Sequence, residues 1–206
     1  MKNQLYKLVI NDVTDHCYKN CLNYFPNDSV VMDVGIGNGL MMKKYHSLIK
    51  SKNLNIIGID INKEYLNHCD RLIRTYQLED QIKIYHQSVE SYRPLKEQYF
   101  DFILFSMSFM LFNEQHLVLD RIKNWLKPGG KIIFFQTMWK KRAPLIEFIK
   151  LQLKYITTVD FGKVTYEKDF FDLLNEKNLS IVEDRVIGKN LFKGEYRMIV
   201  TSVDSL

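Results

Sequence analysis

Cysteine is scarce: Cys17, Cys21 and Cys69 are the three in 206 residues. So sparse and odd a set excludes the disulfide framework of a small secreted scaffold and points to reduced thiols. Cys17 and Cys21 lie four apart, on one face if that stretch is helical. With His16 they suggest a metal site, but no second ligand pair follows at zinc spacing, so packing cysteines are expected. No apolar run reaches membrane-spanning length, so no membrane partner is expected. The start, Met1-Lys2-Asn3-Gln4, lacks the apolar segment of a secretory signal, and the expected compartment is the cytoplasm. Repeats, low-complexity tracts and long charged tails are also missing.

What remains is ordinary for a folded protein: 46% hydrophobic and 26% charged residues. The length suits one domain over 1–206 with a substantial core. The net charge is +5, and it is unevenly spread: residues 121–168 hold eleven Lys/Arg against three Asp/Glu. That stretch is either a solvated helix face or a surface for an acidic substrate or RNA.

The chain is organised around residues 30–42. Val30, Val31, Met32 and Val34 read as a buried strand of a parallel sheet. Asp33 stands at its end, ahead of Gly35, Gly37 and Gly39, and Leu40-Met41-Met42 opens a helix over 40–51. Glycines let the backbone turn sharply and approach a ligand closely. The helix that follows points unpaired N–H groups and its positive end at the same spot. Strand, glycine loop and helix together predict a crevice for a ligand with a nucleoside part and a charged part. Residues 54–60 read as a second strand ending in Asp60, 21 residues beyond Gly39. A carboxylate there can accept two hydrogen bonds from vicinal ribose hydroxyls.

The loop spacing, Asp-x-Gly-x-Gly-x-Gly, differs from the G-x-G-x-x-G of dinucleotide enzymes. It resembles the first motif of the class I S-adenosylmethionine-dependent methyltransferases. Leu126-Lys127-Pro128-Gly129-Gly130, the turn into a fifth strand over Lys131–Thr137, is a landmark of the same family. So is a closing hairpin of strands over 179–187 and 195–203. The resemblance spans about residues 30–137 by motif and implies an α/β fold. Its sheet is Rossmann-like, doubly wound and seven-stranded, mostly parallel with an antiparallel last strand, and has helices on both faces.

It also implies S-adenosyl-L-methionine as cofactor, bound by Asp33, Gly35, Gly37, Gly39 and Asp60, with Ile61 and Asn62 beside the adenine. Ser88 stands where the family usually has an acid or amide toward the adenine amino group, and Val89 keeps the apolar character expected against the ring. Strand four, Phe102–Phe105, ends in Phe105-Ser106-Met107-Ser108-Phe109, below the reactive methyl in such enzymes. The Asn/Asp-Pro-Pro-Tyr/Phe of enzymes acting on nucleobase or glutamine nitrogens is missing there. A small-molecule acceptor is therefore expected, methylated on nitrogen, oxygen or carbon by in-line displacement. Two segments are placed to shape its pocket: an N-terminal helical cap over 1–27, broken near Asn11-Asp12, and a cover inserted over 138–165.

Candidate substrate contacts are Tyr6, Ser106, Met107, Trp139 and Arg142, with His16 and Tyr18 on the cap; Tyr6 and Phe105 are candidates to face the sulfonium. His86 and His116 are bases by residue type alone, and no motif specifies a catalytic residue, an acceptor or an oligomeric state. An RNA or protein methyltransferase using the basic 121–168 surface is the alternative. An inactive relative that binds only cofactor or a partner is a third reading.

Overall fold

The computed structural model describes residues 2–144, 146–147, 162–189 and 194–203, with side chains from Val13 onward. In chain order the elements are α1 (Lys2–Tyr24), β1 (Val30–Val34), α2 (Leu40–Ser51), β2 (Asn55–Asp60), α3 (Lys63–Tyr76), β3 (Ile82–His86) and β4 (Phe100–Ser106). A 3₁₀ turn (Phe109–Leu111) follows, then α4 (Gln115–Lys123), β5 (Leu126–Trp139), β6 (Thr165–Tyr166), α5 (Glu167–Glu176), β7 (Leu179–Lys189) and β8 (Glu195–Val203).

The strands form one sheet in the order β3-β2-β1-β4-β5-β8-β7, with the two-residue β6 paired to β5 off that path. β8 is antiparallel to both of its neighbours, and the other pairs are parallel. This is the expected sheet of seven main strands with one extra short strand. From β1 the chain winds outward to β2 and β3, then returns to β4 on the other side. That reversal opens a crevice at the carboxyl ends of β1 and β4.

Strand residues alternate between two apolar layers, as a sheet covered on both faces requires. Phe102, Leu104, Ile133 and Phe135 join one layer with α1, α2 and α3. Ile103, Phe105, Ile132 and Phe134 join the other with α4 and α5. No helix among the described residues is long and apolar enough to cross a membrane.

Two expectations differ in detail. α1 runs unbroken through Asn11-Asp12. The Leu-Lys-Pro-Gly-Gly turn is absorbed into β5, which starts at Leu126 rather than Lys131. Phe100 pairs with Leu126 and Phe102 with Lys131, so the Pro-Gly-Gly residues bulge out of the ladder, with Gly129 at φ +76. The end of α1 is fixed by Lys52, whose Nζ donates to the carbonyls of Leu22 at 2.8 Å and Phe25 at 2.6 Å. Farther up, Asp15 accepts from Lys44 Nζ and Tyr45 OH, both at 2.7 Å, and so pins α1 against α2.

Candidate active site at the ends of β1, β2 and β4

All three loop glycines have left-handed backbone, with φ of +80 at Gly35, +64 at Gly37 and +79 at Gly39. They differ in what surrounds them. A Cβ at Gly35 would stand 2.8 Å from Ser108 Cβ, and one at Gly39 2.8 Å from Leu72 Cδ1. A Cβ at Gly37 would meet nothing within 4 Å. Gly35 and Gly39 are thus glycine for packing against α3 and the β4 loop. Gly37 faces the open crevice, and α2 begins immediately beyond with Gly39 as its cap.

Asp60 fixes the loop. Its Oδ2 accepts from Gly37 N at 2.9 Å and its Oδ1 from Asn62 N at 2.8 Å. Each oxygen keeps a second lone pair for a ligand hydroxyl. Ile61 beside it is 73% exposed at the mouth of the crevice. Asn62 instead caps α3, accepting from Glu64 N and Tyr65 N. Cys69 Sγ donates to Gly37 O at 3.2 Å from below. Burial, with the charges of Asp60 and Asp33, pushes that thiol up to about 12.

Asp33 is the most telling group. It is wholly buried, its Oδ2 accepts from Tyr18 OH at 3.0 Å, and its Oδ1 has no hydrogen-bond partner among the described residues. Burial pushes its carboxyl up to about 7; the Tyr18 hydrogen bond opposes this and the charge of Asp60 adds to it. Burial, then the charge of Asp33, raises the Tyr18 phenol well above its ordinary value, so Tyr18 stays a donor. An orphaned buried carboxylate oxygen is costly unless a cation meets it. Among the described side chains of the cap, Tyr18 is the candidate that reaches Asp33. His16 is exposed, and the Tyr6 side chain lies outside the described residues.

Ser88 forms a tight turn with Ser91, whose backbone N–H reaches the Ser88 hydroxyl at 3.3 Å, and Val89 is buried beneath it. Phe105 does not face the crevice. It is fully buried and stacked on Phe134 with centroids 5.4 Å apart. The strand alternation that brings Leu104 to one layer sends Phe105 into the other.

Ser106 ends β4 and Met107 follows it. Met107 adopts φ +57, a strained value for a side chain of its size. It is held there by its N–H on Phe135 O at 2.8 Å and, next to it, by Ser108 Oγ donating to Val34 O. No sequence signal marked that strain. Lys163 N bonds Met110 O at 3.1 Å, which brings the returning chain after β5 onto the same loop.

Trp139 is 6% exposed at the end of β5. Arg142 is engaged by its own chain, with its guanidinium over the Tyr166 ring at 4.3 Å and an ion pair to Asp169 at 3.1 Å. Much of the predicted 138–165 cover lies outside the described residues. The three cysteines are buried and free, and no group of three or more metal-ligating side chains occurs among the described residues.

Comparisons with known proteins agree with this geometry. The profile of a methyltransferase domain family matches residues 32–134, half of the chain. The ubiquinone/menaquinone biosynthesis C-methyltransferase UbiE of Wigglesworthia glossinidia brevipalpis is 34% identical over 136 residues, 65% of this chain and 52% of that protein. The demethylmenaquinone methyltransferase of Lactobacillus johnsonii is 30% identical over 148 residues, 63% of this chain and 60% of that one. The chain thus spans little more than half the length of these two relatives. In fold it is similar to geranyl diphosphate C-methyltransferase from Streptomyces coelicolor, with a TM-score of 0.70 at 12% identity, covering 98% of this chain and 80% of that one. The glycine loop, the strand order with its antiparallel β8 and the matched profile together show that the chain belongs to the class I methyltransferase domain family.

Proposed function

We propose that this protein transfers a methyl group from S-adenosyl-L-methionine to a small-molecule acceptor. The observation that carries the reading is the unmet, fully buried Asp33 oxygen beside main chain left open at Gly37. The amino-acid tail of that cofactor carries the ammonium such a carboxylate needs. Asp33 would take the ammonium, Gly35–Gly39 would run along the tail, and Asp60 would receive the ribose hydroxyls. Ile61, Ser88 and Val89 would border the adenine. When bound, the cofactor supplies a sulfonium-activated methyl group.

The chain's own part is to hold an acceptor close, aligned and dry. Ser106 to Met110 would form the side from which an acceptor approaches, with the partly exposed Met107 as its apolar group. In this reading residues 1–27 cap a single domain, and 138–165 complete the acceptor pocket. Within the small molecules, a carbon of a quinol ring has support from the names of the two relatives and from this apolar group. A polymer acceptor has less support. Lys123, Lys127, Lys140, Arg142 and Lys168 of the basic stretch are all ion-paired within the chain.

Incubation with methyl-labelled S-adenosylmethionine and a panel of small quinols and phenols tests this. Label is expected on a ring carbon. Label on RNA or protein alone, or cofactor binding with no transfer to any acceptor, would overturn the proposal.

A further inference from the structure

The strand that closes the sheet carries an unusual order of residues. From Ile181 to Ile187, β7 reads Ile-Val-Glu-Asp-Arg-Val-Ile. About Asp184 the order is the same from either end, except that Glu183 on one side matches Arg185 on the other. β7 lies at the end of the sheet, and its outer edge meets no strand among the described residues. Proteins ordinarily blunt such an edge with shortness, proline or repelling charge. β7 instead runs eleven residues, and Ile181, Val182 and Val186 are 44%, 50% and 47% exposed.

We propose that β7 is a homodimer interface, in which two copies of this chain pair antiparallel about a two-fold axis at Asp184. Such an axis sets each residue opposite the one equally far from Asp184 on the second copy. Glu183 meets Arg185 twice, so opposite charges are matched on both sides of the axis, and the exposed Val182 and Val186 flank them. Asp184 meets its own kind, and it is already held from within by Arg197, whose guanidinium it shares with Glu167. Arg197 Nε donates to Asp184 Oδ1 at 2.9 Å, and a second guanidinium nitrogen bonds Oδ2. In a single chain Glu183 and Arg185 form a partly exposed ion pair at 3.0 Å, which can exchange partners across the axis. The bulges of β7 fall at Val182 and Ile187 and leave Glu183–Val186 in unbroken register with β8. The joined sheet leaves the ends of β1 and β4 uncovered, because β7 stands three strands beyond β4.

Analytical ultracentrifugation of the full chain in the micromolar range tests the interface. Wild type is expected to sediment as a dimer of its 24.6 kDa chain. Glu183→Arg and Arg185→Glu each set like charges across the axis, and each alone is expected to be monomeric. Mixed in equal amounts they restore complementary charges between copies while each chain's own ion pair stays broken, so a dimer returns. If either charge variant fails to fold, Val186→Lys, at an exposed position outside the ion pair, is expected to give monomer instead. A monomeric wild type, single variants that remain dimeric, or folded variants whose mixture stays monomeric would overturn the proposal.

Discussion

At the ends of β1 and β2 the main chain is held by carboxylates and glycine geometry; at the ends of β4 and β5 it is held by rings. On the first rim Asp60 takes the N–H groups of Gly37 and Asn62, and three glycines supply left-handed backbone. On the second, Phe105, Phe109 and Phe134 interlock, and a non-glycine residue, Met107, is forced to φ +57. The first rim depends on residues between Gly35 and Asn62 and on main-chain geometry. The second is tied to distant chain, through Ser108 Oγ on Val34 O and through Phe109 and Phe134 against Phe170 of α5. Substitutions on the first rim should therefore remove cofactor binding and spare the fold, whereas those on the second should weaken the fold and spare cofactor binding.

The largest effect is expected at Gly37→Val. Its side chain would fill the open cradle, and binding of S-adenosylmethionine should fall about a thousandfold, ~4 kcal/mol. Circular dichroism should still show a folded protein of lowered stability: beyond the adjoining residues nothing lies within 4 Å of the new Cβ, and the cost is the strain of valine at φ +64.

The next concerns pH. The Asp33 carboxyl lies at about 7 in the fold against an ordinary 3.8. Between those values the folded state binds more protons than the unfolded one. This stabilisation is therefore complete below about 3.8 and lost as pH climbs to about 7, by roughly 3–4 kcal/mol. Denaturant melts across that window should show the decline in the ligand-free protein, and Asp33→Asn should flatten it.

On the second rim, Phe109→Ala should cost about 3 kcal/mol of stability. Calorimetry should find cofactor affinity unchanged once the variant is folded. Asp60→Ala should weaken cofactor binding by about 2 kcal/mol for each charge-assisted hydrogen bond lost. The smallest effect is expected at Tyr18→Phe, about 1 kcal/mol in stability. Without the phenol, Asp33 titrates higher, and cofactor binding should set in at a higher pH than in wild type.

The same division explains what could be read from the sequence. Glycine at alternate positions after an acid has few physical meanings, and in the fold Asp33 and Asp60 lie near the ends of β1 and β2 with Gly37 in the loop that follows β1. The strands were legible because both faces of the sheet are buried, which leaves unbroken apolar runs such as Phe102–Phe105. That very continuity hid which face each residue takes, and Phe105 turned inward, away from the crevice. The hydrogen bond from Tyr18 to Asp33 spans fifteen residues and a change of element, so periodicity put Tyr18 on the cap without naming its partner. Pro128-Gly129-Gly130 read as a stop because such residues usually end strands, yet a bulge carries β5 through them. The strain at Met107 arises from packing and leaves no trace in residue type.

A crystal structure of the protein grown with S-adenosylmethionine probes the first rim without intermediaries. The ammonium should lie within hydrogen-bond reach of Asp33 Oδ1, with the ribose on Asp60. Density for the nucleoside elsewhere, or an Asp33 oxygen still unmet beside a bound cofactor, would contradict the assignment.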